Sequence, residues 1–315
     1  MAKKLENKWN DKLASKMSEP ELLLYRSNLL GSDLRITNFG GGNTSAKIDM
    51  PDLLSGKNQN ILWVKGSGGD LGSMHLDGFS TLYMDKLIGL KKLYKGLKHE
   101  DEMVNLFPHC TFNLNPRASS IDTPLHAFVP NKHVDHTHPD VIISIACMKN
   151  SQKMTKKIFD GDLGWLEWQR PGFDLGLKLE EIAKSDPNLK GVILGQHGLF
   201  TWGDTSKECY DLTISIIQRA ADWFENNKTK EPFGGIKYKK PLNKSQRHDI
   251  VSKLMPHLRG KITTDQNKIG HFIDDPNVLQ FVNSKKLNNL ASLGTSCPDH
   301  FLRTKICPLV VNFNP

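Results

Sequence analysis

The sequence predicts an α/β protein, and three observations carry that expectation. Ser206–Asn226 has apolar residues at Tyr210, Leu212, Ile214, Ile217, Ala220, Ala221 and Phe224, a spacing close to the helical period. Short runs at residues 61–64, 134–138 and 191–194 read as strands, the first and last of them apolar. Glycine clusters at residues 40–42, 66–69 and 195–198 punctuate the chain where tight turns must join such elements.

In chain order, residues 20–30 form a helix. Pro20 and Glu21 suit its first turn, Leu22, Leu23, Tyr25, Leu29 and Leu30 keep the period, and Gly31 ends it. Residues 38–45 (Asn-Phe-Gly-Gly-Gly-Asn-Thr-Ser) are a turn that brings backbone amides close to something, followed by a strand at 46–49. Strand 61–64 runs into a second glycine turn at 65–70. Residues 82–97 read as an amphipathic helix. Another helix opens within 120–128, with Asp122 and Thr123 near its start and Pro124 in its first turn. The 134–138 strand stops at Pro139, and 141–148 is apolar enough for a buried helix or a strand. Gln196-His197-Gly198 interrupts the 191–194 strand, which resumes at 199–202. After the 206–226 helix, residues 226–244 hold Pro232, Gly234, Gly235 and Pro241 among many lysines, a linker composition, and a further helix follows at 246–258.

Composition narrows the function classes. A chain of 315 residues with 38% hydrophobic and 24% charged residues is globular rather than disordered. No run approaches eighteen consecutive apolar residues, so no spanning helix and no membrane partner are expected. Residues 1–16 lack the apolar core of a signal peptide, which points to a cytoplasmic protein. The five cysteines are scattered and never paired as Cys-x-x-Cys, against both a disulfide framework and a cysteine zinc site. The net charge of +8 is spread and not banded with aromatics. It therefore suggests a mild attraction for anionic substrates and no nucleic-acid partner.

His136-Thr-His138 is the sharpest local feature. Residues two apart on a strand share a face, so two imidazoles could share one cation. Catalytic zinc takes three protein ligands and keeps a fourth position open. His197, between Gly195 and Gly198 at the strand interruption, is the natural third. A His-x-His pair can also arise by chance among 12 histidines, and His126 and His133 read as bystanders. The two glycine turns, with Ser119 and Ser120 ahead of a helix, offer amides and hydroxyls of the kind that bind phosphate. Gly66-x-Gly68 with Gly72 is no dinucleotide loop, because residues 73–78 do not read as the helix that motif needs. Asp122 can shuttle a proton beside a carbonyl or simply cap its helix; the residues alone leave both open.

Taken in order, Gly-Gly-Asn-Thr-Ser, Gly-Ser-Gly, Ser-Ser with a carboxylate, His-x-His and Gln-His-Gly-Leu resemble the class II aldolase/adducin family, which includes fuculose-phosphate aldolase and ribulose-phosphate 4-epimerase. The resemblance covers residues 21–225. Residues 36–47, 63–71, 121–138 and 294–305 look closer still to the N-terminal part of bifunctional rhamnulose-1-phosphate aldolase/lactaldehyde dehydrogenase proteins. The resemblance implies a three-layer α/β/α catalytic domain around a mainly antiparallel sheet at residues 1–230. A small extension at 231–315 follows, with no dehydrogenase domain expected. It implies one Zn2+ per subunit on His136, His138 and His197, with phosphate held by Gly42, Asn43, Ser67, Gly68, Ser119 and Ser120. It implies a homotetramer with sites at subunit interfaces.

The expected activity is zinc-dependent, reversible aldol cleavage of a ketose 1-phosphate, L-rhamnulose 1-phosphate to dihydroxyacetone phosphate and L-lactaldehyde, with Asp122 moving the proton. The alternatives are an epimerase or dehydratase of the same family, or a non-catalytic adducin-like module. The fuculose-phosphate aldolase motif places Glu directly after the two serines. Here Ile121 intervenes and the carboxylate is Asp122, as in the epimerase branch. In residues 297–304 (Cys-Pro-Asp-His-Phe-Leu-Arg-Thr), His300 and Arg303 are expected either to reach the site or to stabilise the C-terminal segment.

Overall fold

The structure, a computed structural model, describes residues 4–37 and 41–311, the side chains of residues 301–303 excepted. Residues 38–40 of the first glycine turn and the Arg303 side chain lie outside the described residues. Seven strands form one sheet: β1 (Asn43–Pro51), β2 (Asn58–Lys65), β3 (Phe79–Tyr83), β4 (His133–Thr137), β5 (Leu163–Leu166), β6 (Gly191–Leu194) and β7 (Gly198–Gly203). Their order is β3-β2-β1-β4-β7-β6-β5. Every pairing is antiparallel except β5 with β6.

Strand alternation sends side chains to two helical layers. On one face Leu199 joins Leu30, Ile142, Ile145, Tyr210, Ile214 and Ile217, from helices Glu19–Gly31, Asp140–Ala146 and Ser206–Asn226. On the other, Val134, Val192, Phe200 and Trp202 pack against Leu125, Leu175 and Leu179, from helices Thr123–Phe128 and Phe173–Ser185. The architecture is therefore three-layered, α/β/α. The apolar 141–148 segment, ambiguous by period, is helical through Ala146.

A buried ion pair ties the first layer to the sheet. Arg26, with no exposed surface, meets Asp135 of β4 at 2.9 Å. It also donates to the Ser45 carbonyl (2.7 Å) and the Ser206 hydroxyl (3.0 Å), and lies 2.9 Å from His133 Nδ1. Thr213 donates to the other Asp135 oxygen at 3.2 Å. A guanidinium paired with a carboxylate and bonded through its terminal nitrogens is tolerated in a dry interior, and it links β1, β4 and two helices.

The expected helix at 82–97 is corrected. Leu82 belongs to β3, where it pairs with Leu62 of β2, and only Met84–Gly89 is α-helical. Leu87 and Leu90 keep helical spacing, but Gly89 and Gly96 weaken the helix and the sheet edge captures the residues before it. The strand at 191–194 does not resume after its interruption; it reverses. β6 and β7 are antiparallel neighbours joined by a turn in which Gln196 takes φ +53°.

The chain divides into two compact units. One comprises residues 1–227 together with 296–304; the other comprises 228–295 and 305–315. The second unit contains helices Lys244–Ile262, Pro276–Val282 and Leu287–Ser292, and the bridge between Ile236 and Ser284. Among the described residues no helix is long and apolar enough to cross a membrane.

Candidate active site

Antiparallel register decides what gathers at one sheet edge. β1 begins where β2 and β4 end, and β7 begins where β6 ends. The first glycine turn, the second glycine turn, His138 and the His197 turn therefore share that edge. Asn43 pairs directly with His136. A bridge between Gly66 and Ser119 brings the second glycine turn to the two serines. Gly42 has φ +72°, and a Cβ there would lie 2.6 Å from the His136 carbonyl, so glycine is required for β1 to approach β4.

His136, His138 and His197 are all buried, with candidate ligand atoms within 4.8 Å of one another. Their Nε2 atoms converge: His138 to His136 is 2.8 Å, and His136 to His197 is 3.1 Å. His136 Nδ1 faces the Leu199 carbonyl at 3.0 Å, and a carbonyl can only accept. The ring proton is thus assigned to Nδ1, which leaves a lone pair on Nε2. His138 Nδ1 meets the Asp299 carboxylate at 2.5 Å, which assigns its proton in the same way. Two lone pairs aimed at each other across 2.8 Å repel unless a positive charge lies between them. Burial and the neighbouring imidazoles hold His136 and His197 well below the usual histidine range, in the neutral form a metal ligand needs. His197 Nδ1 is buried with no hydrogen-bond partner. The donor set fits a divalent cation such as zinc.

Asp122 stands ahead of the Thr123–Phe128 helix but makes no side-chain cap bond. Ser120 Oγ donates to its Oδ2 at 3.4 Å, while its Oδ1 is buried with no hydrogen-bond partner. Burial pushes its carboxyl up, opposed by the nearby charges of His138 and Lys65. A carboxylate that is neither cap nor ion-pair partner and is buried near a ligand histidine has the character of a proton-transfer group.

The phosphate candidates fall into two pairs of segments. Gly42 and Asn43 lie beside His136; Ser67 and Gly68 lie beside Ser119 and Ser120. The Gly66 and Ser67 amides are already used, donating to Gly78 and Ala118 carbonyls at 2.9 Å each. The second turn therefore offers an anion the Ser67 hydroxyl and the amides beyond it. Lys65 was not foreseen. It ends β2 almost fully buried, and its charge reaches Asp122. Asp299 was passed over for its neighbour: the His300 ring bonds locally to Ser296 Oγ (3.3 Å), whereas Asp299 reaches His138. His126 and His133 are buried and bonded outside the triad, His126 Nδ1 on Ser45 Oγ at 2.8 Å and His133 on Arg26. After the second glycine turn comes only a short 3-10 turn, Leu76–Gly78, and no dinucleotide-type helix.

Comparison with known proteins gives the family and the fold. Residues 21–223 match the family model described as the Class II Aldolase and Adducin N-terminal domain, and residues 249–315 match one described as Aldolase class II, second domain. A Bacillus subtilis protein named "Uncharacterized oxidoreductase YuxG" is 40% identical over 309 residues, 98% of this chain; the chain spans 44% of that protein's length. The structure of the N-terminal class II aldolase domain of a conserved protein from Thermoplasma acidophilum is 34% identical, with a TM-score of 0.63 over 70% of this chain and 99% of that one.

Proposed function

Because the chain belongs to the class II aldolase/adducin family, we propose that it catalyses metal-dependent, reversible aldol cleavage of a ketose 1-phosphate, with zinc as the metal and L-rhamnulose 1-phosphate as the substrate. The observation that carries the reading is the pairing of two features at one sheet edge. Three imidazoles converge on one point, and a buried carboxylate with an unpartnered oxygen lies close enough to interact with one of them. A silent adducin-like module needs neither.

His136, His138 and His197 hold the cation. When bound it supplies a Lewis acid for the carbonyl and the adjacent hydroxyl of the sugar. The Ser67, Ser119 and Ser120 hydroxyls, with Gly42, Gly68 and Asn43, hold the phosphate, and Lys65 adds positive charge at the same edge. Fixing the phosphate positions the carbonyl, so binding energy is converted into orientation. Asp122 then transfers the proton at the carbon next to the carbonyl. Its carboxyl is pushed up by burial, which makes it a stronger base than a solvated aspartate when ionised. Other members of the family carry out epimerase and dehydratase chemistry with the same parts, and Asp in place of Glu keeps that reading second.

The test is incubation of the zinc-loaded protein with L-rhamnulose 1-phosphate and an enzymatic assay for dihydroxyacetone phosphate, against a chelated control. Zinc-dependent release is the expected result. Protein that holds zinc yet releases no triose phosphate would replace cleavage by epimerisation or dehydration, and protein that takes up no zinc would remove the catalytic reading.

A further inference from the structure

Residues 296–304 belong to the compact unit that contains the sheet, although the chain leaves that unit at residue 228 and returns only at 296. Cys147 Sγ donates to the Ser296 carbonyl at 3.2 Å, Cys297 is buried, and a short helix, Pro298–Arg303, follows. The carboxylate of Asp299, in the first turn of that helix, points at His138 Nδ1, 2.5 Å away, with both side chains nearly buried, 5% and 11% exposed. A second contact fixes the same group: a Cβ on Gly41 would collide with the Asp299 carboxylate, so the first glycine turn leaves just enough room for it. Asp299 thus touches both the ligand-bearing strand end and the turn that precedes β1.

We infer that Asp299, delivered from beyond the intervening second unit, is a positioning residue of the metal centre, holding the His138 ring by its Nδ1–H so that Nε2 faces the cation. The chemistry is general. A ligand imidazole whose far nitrogen donates to a carboxylate is fixed in tautomer and ring orientation, and it binds a cation more strongly than a free ring. The three rings are not equally served. His136 is oriented by a neutral carbonyl, and His197 Nδ1 has no partner. His138 alone carries an ionic support, so removal of Asp299 loosens the ring on which the centre depends most.

The inference rests on the proposed metal site, and the experiment separates the two. Zinc affinity of the full chain is measured by competition with a chromophoric chelator for the parent, Asp299→Ala, Asp299→Asn and His300→Ala, together with the visible spectrum of the cobalt-substituted proteins and the thermal midpoint of each metal-free form. Asp299→Ala is expected to weaken zinc binding roughly 10–100-fold and to shift the cobalt bands. Asp299→Asn, which keeps an accepting oxygen but no charge, should fall between Asp299→Ala and the parent. His300→Ala, altered next door but outside the contact, should bind zinc like the parent. A parent that binds zinc while Asp299→Ala binds within threefold of it overturns the inference and leaves the triad standing. Equal losses in Asp299→Ala and His300→Ala, tracking lower metal-free midpoints, also overturn it, because segment packing would then suffice. A parent that takes up no zinc removes both readings.

Discussion

Acidification should unfold this protein in part through His126, which lies outside the proposed metal set. Its ring has no exposed surface, and its Nε2 has no hydrogen-bond partner. Burial, helped by the positive charges of Lys47, Arg26 and Lys65, lowers its pKa to about 3. The sign follows from linkage. A depressed folded-state pKa means that the unfolded chain takes the proton first. The stabilisation is therefore complete above the unfolded value near 6.5 and is lost as pH falls from there toward 3. Between pH 7 and pH 5 the folded ring stays neutral while the unfolded ring charges. The cost is about 2 kcal/mol, nearly the same for any folded value between roughly 2 and 4.

The assay is urea unfolding of chelator-treated protein at both pH values, for the parent and for His126→Asn. Groups other than His126 are common to both proteins, and their contributions cancel. The parent should lose about 2 kcal/mol more than the variant over the interval. Equal losses in the two proteins would refute the claim that a neutral, buried His126 is coupled to folding.

Three further outcomes are expected. Asp122→Asn should lower turnover by at least about 100-fold; in metal-free protein it should also raise the thermal midpoint at pH 7. The raised carboxyl favours folding only when protonated, so this gain should shrink on acidification through the carboxylate range, and a parent-like rate in the variant would dismiss its catalytic role. Asp135→Asn strands the Arg26 guanidinium in a dry interior and should cost roughly 3–5 kcal/mol in urea unfolding; a loss below about 1 kcal/mol would mean that the remaining bonds to Ser45 and Ser206 carry Arg26 alone. Gly42→Ala forces a side chain into a left-handed backbone 2.6 Å from the His136 carbonyl. It should destabilise by about 1–3 kcal/mol and weaken zinc binding, since β4 must shift; unchanged zinc affinity would place that strain elsewhere.

Features legible in the sequence were those with a short period. Ser206–Asn226 kept 3.6-residue spacing behind a Thr205/Glu208 capping box, and its ends fell where expected. His136 and His138 share a face because strand geometry has period two, and only β4 had to form for that to hold. Local reading failed where distant partners decided. Leu82 became strand because Leu62 was there to pair with it, and the β6–β7 reversal turned on a left-handed Gln196 that nothing in its type announces. The Phe173–Ser185 helix went unread although Gly176 packs its backbone against Pro124. Within Pro-Asp-His the expectation falls on His300, yet the aspartate makes the contact, with a residue 161 positions away. No window on the sequence spans that separation.

The excursion between residues 227 and 296 has a consequence for anyone cutting this gene. An element spliced into a domain is fastened at both ends, and the aldolase unit is not finished when its last sheet-covering helix ends at Asn226. A fragment stopped there would retain all seven strands and all three converging histidines, yet it would lack the carboxylate that faces His138. Nicking the excursion instead would leave that carboxylate attached to its unit by packing alone. What had been intramolecular, at an effective concentration set by a leash, would become an ordinary association that dilution can reverse. A boundary drawn at the end of the last sheet-covering helix therefore differs from one drawn around the compact unit and its site.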